Sequence, residues 1–254
     1  MPGSKPPVSA LITCEHASAR VPAYWQRLFC GQTEVLASHR AWDPGSLDLA
    51  EALARHLDAP LLAGQVTRLL IDLNRSSGHP RRFSEWTRGL PESDRVRIER
   101  SWWLPHWQVF GQFIRSHPGQ VVHIGCHSFT PVLAGRRRRF DIGLLYDSRR
   151  WAERRLCRDL AGRLSARLTG IRVRMNQPYR GTANGIGQQH RRLYGPDRLL
   201  SVEVEINQRL VRRGDWGVVL AAISTELAEL IRAWSPRVHE AADEPVSVIS
   251  RASA

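Results

Sequence analysis

The middle of the chain contains the stretch VVHIGCHS at residues 121–128, which combines a core strand with polar side chains. Its apolar start, Val121 to Ile124, predicts a buried strand, and a histidine and a serine follow where further core would be expected. The stretch VSALITCEHAS at residues 8–18 repeats this arrangement. A histidine at the carboxyl end of a parallel strand points into the crevice where open α/β sheets bind ligands. We therefore predict that His16 and His127 meet there.

The rest of the chain alternates strand and helix patterns, which is typical of a parallel sheet covered on both faces. Helical patterns cover residues 22–28, 39–57, 102–116, 151–168 and 216–234. Strand patterns cover residues 8–14, 61–62, 69–71, 121–126, 141–146, 171–175 and 199–206, and loop-rich segments cover residues 76–100 and 176–197. We predict one α/β domain at residues 8–235, with a mixed, largely parallel sheet between helices. A disordered lead (1–7) and a polar tail (236–254) flank it.

The composition is that of an ordinary globular protein, with 254 residues, 42% of them apolar and 24% charged. No apolar run is long enough to span a membrane, and the amino terminus lacks the layout of a signal peptide. We therefore expect a cytoplasmic protein without a membrane partner. The four cysteines form no C-x-x-C pair. We interpret Cys14 and Cys126 as buried free thiols.

The net charge of +13 raises the question of nucleic-acid binding. Lys5 is the single lysine, so arginine supplies nearly all of the positive charge. The sharpest basic patch is the loop Arg136–Arg139, which has little aromatic interleaving. We favour a solvated or substrate-steering loop over a nucleic-acid motif, because such a field also attracts small anionic substrates.

Polar side chains also follow the predicted strand at residues 69–71, in the segment Arg68-Leu-Leu-Ile-Asp72-Leu-Asn74-Arg75. The planar guanidinium of arginine holds a carboxylate in two parallel hydrogen bonds. Arg68 and Arg75 could therefore bind a substrate carboxylate, and Asn74 could orient it or contribute to an oxyanion site. The alternative is a salt-bridged strand end.

A glycine-rich segment follows at residues 176–190 and begins Asn176-Gln-Pro-Tyr179-Arg180-Gly181. Glycines beside a tyrosine and an arginine suit a mobile lid that closes on substrate. The alternative is an ordinary surface loop.

Two glutamates, Glu203 and Glu205, stand two residues apart in the last predicted strand and so share one face of it. Glu205 is nearer the carboxyl end of the strand. A carboxylate among apolar neighbours is a poor structural choice unless it is paired, but it is a good general base if its pKa is raised. The alternative is an edge strand that exposes both glutamates to solvent.

Asp43 lies at the start of the predicted helix 39–57, in the segment His39-Arg-Ala-Trp-Asp43-Pro44. A carboxylate followed by proline suits a helix N-cap. The Asp43 carboxylate could instead bind a metal. It could cap the helix and bind a metal at the same time only if each role used a different oxygen.

Two strand-end histidines, a nearby carboxylate and a separate glutamate are together typical of a catalytic zinc site. Such a site uses three protein ligands and leaves one position for water. The metal lowers the pKa of that water to about 7, and a glutamate can take its proton. We expect one Zn²⁺ per chain.

The order of these segments resembles the N-formylglutamate amidohydrolase family, from about residue 8 to about residue 235. Six motifs carry the resemblance: Cys14-Glu15-His16-Ala17-Ser18, His39 to Gly45, Arg68 to Arg75, Cys126-His127-Ser128-Phe129, Asn176 to Gly181 and Val204 to Asn207. The resemblance implies a fold like that of zinc carboxypeptidases and aspartoacylase-type deacylases. It implies that His16 and His127 are metal ligands and that Glu205 is the base. It also places Arg68, Asn74 and Arg75 at the positions that bind the substrate carboxylate and polarise the carbonyl.

The third ligand departs from the carboxypeptidase pattern, which has a glutamate three residues after the first histidine. Here that position is Ala19. We favour Asp43 as the third ligand, with Glu15 as the alternative. Glu15 alternates with His16 along a strand, so both could face one metal only across a bend or bulge.

These observations give the hypothesis of a zinc-dependent hydrolase that cleaves the amide bond of a small, N-acylated, carboxylate-bearing molecule such as N-formyl-L-glutamate. Glu205, Arg68 and Asn74 are its predicted catalytic residues. Predicted substrate-binding residues are Arg75, Asn176, Tyr179, Arg180 and Ser128. One alternative is a peptidase or amidase for larger acidic or cell-wall peptides. The other is a non-catalytic nucleic-acid-binding relative, against which the intact His16, His127 and Glu205 argue. The oligomeric state stays open.

Overall fold

The computed structural model describes residues 8–234, so the predicted lead (1–7) and tail (236–254) lie outside the described residues. The described part forms a single α/β domain around one central sheet, as predicted. None of the helices between residues 8 and 234 combines the length and the apolar character that crossing a bilayer requires.

The central sheet has six strands in the order β2-β1-β3-β8-β6-β7. Four neighbours, β2, β1, β3 and β8, run parallel, while β6 pairs antiparallel with β8 and parallel with β7. The strands are β1 (Ser9–Cys14), β2 (Leu61–Ala63), β3 (Val121–Phe129), β6 (Ile142–Leu145), β7 (Val173–Met175) and β8 (Leu199–Asn207). A short hairpin of β4 (Val132–Leu133) and β5 (Arg136–Arg137) contains the start of the basic loop. The prediction of a mixed, largely parallel sheet is therefore confirmed.

Helices cover the sheet and bury its apolar side chains in one large core and in a smaller cluster against α4. They are α1 (Thr33–Ala37), α2 (Ser46–Leu57), α3 (Glu92–Ile98), α4 (Leu104–Ser116), α5 (Trp151–Arg167), α6 (Ile186–Arg191), α7 (Gln208–Val211) and α8 (Trp216–Arg232). A 3-10 helix spans Ala23–Phe29, and a π-helical turn, Glu99–Trp103, joins α3 to α4. The central strands β3 and β8 are buried almost throughout, as expected of parallel strands covered on both faces.

Several predicted elements differ from the structure. Residues 69–71 form a buried turn and not a strand, because their apolar side chains pack in a second core cluster away from the sheet. The predicted loops at 76–100 and 176–197 contain α3 and α6. The strand predicted at 121–126 continues to Phe129, so His127 lies within β3. The edge-strand alternative for Glu203 and Glu205 is wrong, because β8 is flanked by strands on both sides.

The predicted helix 39–57 begins only at Ser46, which changes the role of Asp43. The residue at the N-cap position is Gly45, whose φ of 80° lies in the left-handed region that favours glycine. The Asp43 carbonyl still accepts a hydrogen bond from the Ser46 amide, at 3.1 Å. Its carboxylate does not cap the helix, and the N-cap interpretation of Asp43 is wrong.

Candidate active site

A buried cluster of His16, Asp43 and His127 lies at the carboxyl ends of β1 and β3. The Asp43 Oδ2 atom is 3.3 Å from Nδ1 of His16 and 3.2 Å from Nδ1 of His127. One ligand atom from each residue lies within 4.8 Å of the other two. His16 stands in the turn after β1, where its carbonyl accepts a 2.9 Å hydrogen bond from the Asp43 amide. The backbone therefore holds Asp43 beside the end of the strand.

The two carboxylate oxygens of Asp43 have different partners. Oδ1 accepts a hydrogen bond from the guanidinium of Arg68, while Oδ2 faces both imidazoles. The Ser128 amide also lies 3.4 Å from Oδ2. Burial alone would raise the pKa of Asp43, but Arg68 and His16 hold it well below its ordinary value. Asp43 is therefore an anion with one oxygen directed into the cluster.

The outer nitrogen of each histidine faces a second carboxylate. Nε2 of His16 is 2.7 Å from Oδ1 of Asp72, and Nε2 of His127 is 3.0 Å from Oε2 of Glu15. A carboxylate behind a histidine fixes the ring orientation and raises the basicity of its inner nitrogen, and metal-binding histidines use this arrangement. Glu15 therefore stands behind His127, on the side away from the position that Asp43 shares with both rings.

Glu205 lies next to His127 on the adjacent strand, where the two residues are register partners of β8 and β3. Its side chain is buried, and its Oε2 atom accepts no hydrogen bond from any residue between 8 and 234. Burial raises the pKa of Glu205 to about 8, against the opposing charge of His127. Glu205 thus has a buried carboxylate oxygen without a hydrogen-bond partner among residues 8–234.

The remaining predicted residues divide into two groups. Asn74 reaches the cluster, with Nδ2 3.3 Å from Nε2 of His127, and its Oδ1 accepts a 2.8 Å bond from the Ile186 amide. Ser128 contacts Asp43 through its backbone, and its hydroxyl accepts a hydrogen bond from Gln208 at 3.1 Å. Both residues therefore support the cluster.

Arg75 and Asn176 are engaged elsewhere. Arg75 Nη1 donates to the carbonyls of Asn74 and Asn184, at 2.9 and 2.6 Å, so it ties two loops together. The Asn176 side-chain oxygen accepts from the amides of Tyr146 and Gly181, at 3.1 and 2.9 Å, which closes its own loop.

Tyr179 and Arg180 lie on the exposed rim. The Tyr179 hydroxyl accepts a 3.5 Å hydrogen bond from Arg138, whose guanidinium also lies over the tyrosine ring. These contacts join the predicted lid segment to Arg138, which directly follows the β4–β5 hairpin.

Sequence reasoning gave no role to two residues of the site, Asp72 and His106. Asp72 stood in a quoted motif, but nothing in the motif predicts its contact with His16. His106 is buried on α4, with Nε2 3.7 Å from Oε1 of Glu15. The helical spacing of buried positions around it, Trp103, His106 and Phe110, could have shown that this histidine faces inward.

The cluster geometry fits a tetrahedral zinc ion. Nitrogen and oxygen ligands at 2.0–2.1 Å in a tetrahedron lie about 3.3 Å apart. The His16–Asp43 and Asp43–His127 contacts, at 3.3 and 3.2 Å, match this spacing. The ligand atoms of the two histidines lie within 4.8 Å of each other, so His16, Asp43 and His127 are close enough together to hold one ion.

A cleft of about 500 Å³ lies beside the cluster. Pro44, next to Asp43, and Gln208, which binds Ser128, are part of its wall. Arg209 and Arg212 also line it, and none of the residues between 8 and 234 that line the cleft is acidic. Arg209 is paired with Asp141, whereas the exposed Arg212 forms no ion pair or hydrogen bond with residues 8–234. The cleft thus offers positive charge next to the cluster.

An α/β domain whose strand ends hold a buried histidine–carboxylate cluster with a free glutamate has the arrangement that metal-dependent hydrolases use. The family model of N-formylglutamate amidohydrolase matches residues 8–212. The chain therefore belongs to the N-formylglutamate amidohydrolase family, and this membership makes it a hydrolase of amide bonds. A search of curated proteins found no match.

Among solved structures, the chain is similar to gene product Atu2144 from Agrobacterium tumefaciens, with 29% identity, 88% of each chain covered and a TM-score of 0.71. It is more distantly similar to the CwlD amidase from Clostridioides difficile, with 11% identity, coverage of 87% and 94%, and a TM-score of 0.44. The succinylglutamate desuccinylase from Chromobacterium violaceum has 16% identity, coverage of 89% and 60%, and a TM-score of 0.40. Neither of these two weaker similarities bears on the function.

Proposed function

We propose that this chain is a zinc-dependent amidohydrolase that cleaves the linear amide bond of a small, N-acylated, carboxylate-bearing molecule, of which N-formyl-L-glutamate is the model. The observation that carries the proposal is the convergence of His16, Asp43 and His127 within 4.8 Å of one another, beside Glu205, whose Oε2 accepts no hydrogen bond from the described residues. Family membership independently supports hydrolysis of an amide.

His16, Asp43 and His127 would hold the ion through Nδ1, Oδ2 and Nδ1. Zinc, when bound, supplies a Lewis acid. Asp72 and Glu15 would keep the two imidazoles oriented, because each carboxylate contacts an outer Nε2 atom. This assignment makes Asp43 the third ligand and leaves Glu15 behind His127.

Glu205 would serve as the general base. Its unbonded oxygen can accept a proton from the attacking water and deliver it to the leaving amine, since a carboxylate without a protein donor is free to change protonation state. The products are then the free acid of the acyl group and the free amine.

Arg68 would stabilise the oxyanion that forms as water adds to the acyl carbon. One of its nitrogens binds Asp43, while its buried Nε has no hydrogen-bond partner within the described chain. A preorganised donor of this kind gains strength in a water-poor site. The amide of Asn74 is held by its contacts with His127 and Ile186, so Arg68 is the better placed of the two.

The cleft beside the cluster supports a small anionic substrate. Among residues 8–234, its wall includes the unpaired Arg212 and no acidic side chain, which favours a carboxylate over a neutral or cationic group. Arg75 is less available for this task than the sequence suggested, because it binds two backbone carbonyls.

The test is the metal content of purified wild type and His127→Ala, with His117→Ala as control, followed by an assay of N-formyl-L-glutamate hydrolysis. We expect about one zinc per chain in wild type and control, loss of zinc in His127→Ala, and release of formate only by the zinc-loaded proteins. Absence of zinc from reconstituted wild type would overturn the proposed mechanism. Zinc binding without hydrolysis of any N-acyl amino acid would overturn the substrate class alone.

A further inference from the structure

Helix α4 and the π-helical turn before it pack behind the candidate metal cluster. The indole of Trp103 donates a 2.8 Å hydrogen bond to the Arg75 carbonyl, and the indole of Trp107 donates a 2.9 Å bond to the Leu73 carbonyl. These bonds hold the loop that carries Asp72, the residue behind His16. π-Helical turns inside helices occur frequently at functional sites.

His106 and Trp107 follow Trp103 by three and four residues, so each is a neighbour of Trp103 on the helix surface. The tryptophans contact the loop at Leu73 and Arg75, and His106 approaches Glu15. The two tryptophan rings stack with centroids 4.7 Å apart. His106 is 6% exposed, and its Nε2 atom is buried.

His106 and Glu15 present unfilled polar atoms to each other. Nε2 of His106 and both oxygens of Glu15 are buried without a complete hydrogen bond from residues 8–234. The nearest approach is 3.7 Å, between Nε2 of His106 and Oε1 of Glu15. The other Glu15 oxygen lies 3.0 Å from Nε2 of His127. A buried carboxylate is costly unless cationic or polar groups surround it, and here two imidazoles are those groups.

We propose that His106 is a positioning residue of the metal centre: it holds Glu15, and Glu15 holds the ring of His127 with Nδ1 directed at the position shared with Asp43. This role of His106 rests on the proposed function. It places a residue of α4 at the metal centre, although none of the six sequence motifs includes that helix. His106 itself lies behind Glu15 and contacts neither Asp43 nor His16, so its influence passes through Glu15.

The experiment measures zinc affinity by competition with a chromophoric chelator, together with thermal unfolding of the metal-free proteins. His106→Leu removes the imidazole but keeps an apolar side chain of similar bulk, and His106→Gln keeps a hydrogen-bond donor. His190→Leu is the matched control, because His190 is also buried against Phe110 but bonds the Ile186 carbonyl. It reports the cost of losing a buried histidine that touches no carboxylate.

We expect His106→Leu to weaken zinc binding roughly 10- to 100-fold, the usual effect of removing a group behind a ligand. His106→Gln should recover most of that loss, and His190→Leu should stay within about threefold of wild type. Zinc binding by folded His106→Leu within about threefold of wild type would overturn the proposal. If His106→Leu does not fold, His106→Asn gives the same comparison, because its side chain is too short to reach Glu15.

A double-mutant cycle tests whether His106 acts through Glu15. In a Glu15→Gln background, His106→Leu should weaken zinc binding by no more than about twofold, because the carboxylate that His106 holds is already gone. An undiminished loss in that background would overturn the role. Wild type that binds no zinc would overturn both this role and the proposed function, whereas normal zinc binding by His106→Leu overturns the positioning role alone.

Discussion

Two buried glutamates of this domain, Glu153 and Glu205, have opposite surroundings. Glu153 accepts hydrogen bonds from Arg191 at 2.9 Å and from the amides of Ser201 and Asp147 at 3.1 and 2.9 Å, so both of its oxygens are occupied. Glu205 is equally hidden, but its Oε2 accepts no hydrogen bond from the described part of the chain. The first arrangement satisfies a buried carboxylate, and the second leaves a carboxylate oxygen unpaired, as the proposed base requires.

The difference extends to the neighbours of each glutamate. Arg191 is a single cation whose donors also bind the Gly181 carbonyl and the Gln188 side chain, at 2.7 and 3.2 Å. Around Glu205, its own Oε2, both oxygens of Glu15 and the Nε donor of Arg68 are buried without a hydrogen bond from the described residues. Buried polar groups in proteins are normally hydrogen-bonded, so unpaired acceptors and an unpaired donor at one place fit a site that binds an ion and a substrate.

The largest expected effect is on catalysis by Glu205→Gln. The substitution removes the proton acceptor but keeps the shape of the side chain, so turnover should fall about 10²- to 10⁴-fold. Zinc content and unfolding temperature should stay near those of wild type, because no protein donor loses its partner. The measurement is kcat on N-formyl-L-glutamate beside zinc analysis. Full activity in the variant would remove Glu205 from the mechanism.

Glu153→Gln should have the reverse profile. Loss of this charge leaves the buried Arg191 guanidinium without its anion, which should cost about 3–5 kcal/mol of unfolding free energy. Denaturant unfolding of the metal-free protein measures the cost. The fraction of Glu153→Gln that stays folded should have the same kcat per zinc-loaded molecule as wild type. A variant as stable as wild type would contradict the structural role assigned to this pair.

A smaller effect, on zinc affinity, is expected from Asp72→Asn, because Asp72 contacts the outer nitrogen of His16. The amide is a weaker partner for the Nε2 proton of His16 than the carboxylate, so zinc affinity should fall roughly 10-fold or more. Asp147→Asn is the control, since Asp147 is a buried carboxylate whose partner is the exposed Arg149. Equal zinc affinities of the two variants would show that Asp72 does not act on His16.

Sequence patterns predicted the parts of the site that follow from strand order. His16, His127 and Glu205 come at the carboxyl ends of three apolar runs, and neighbouring parallel strands bring such ends together. Asp43 was predicted with two roles, because a sequence does not show where a carboxylate turns. The backbone of Gly45 takes the N-cap position, and Arg68 binds one oxygen of Asp43, so the other faces the histidines.

The supporting residues could not be predicted in the same way. His106 lies in the interior of a helix, and its link to Glu15 depends on how α4 packs behind the strands. Residues 69–71 have the composition of a strand, but their side chains pack in a separate apolar cluster and the segment forms a turn. Long-range contacts of this kind override local preference.

The smallest expected effect concerns His123, which shares one face of β3 with His127 because strand side chains alternate. His123 lies between the hydroxyls of Thr13 and Ser201, at 2.9 and 2.8 Å, with no carboxylate bonded to it. Burial lowers its pKa from 6.5 to about 3. Below pH 6.5 His123 therefore binds a proton in the unfolded chain but stays neutral in the folded protein. The contribution of neutral His123 to the unfolding free energy is present above pH 6.5 and is lost as the pH falls toward 3.

The measurement is the unfolding free energy of metal-free wild type and His123→Gln between pH 7.5 and pH 5. Acidification from pH 6.5 to pH 5 should cost wild type about 1–2 kcal/mol more than the variant, because one proton per molecule is linked to unfolding at a limit of about 1.4 kcal/mol per pH unit. Above pH 7 the difference between the two proteins should be constant. Parallel pH profiles throughout would show that His123 is protonated as easily in the folded protein as in the unfolded chain. The carboxylates of Asp43 and Glu15 raise the pKa of His127 against the effect of burial. Parallel profiles would mean that the different partners of the two rings do not give His123 and His127 different pKa values.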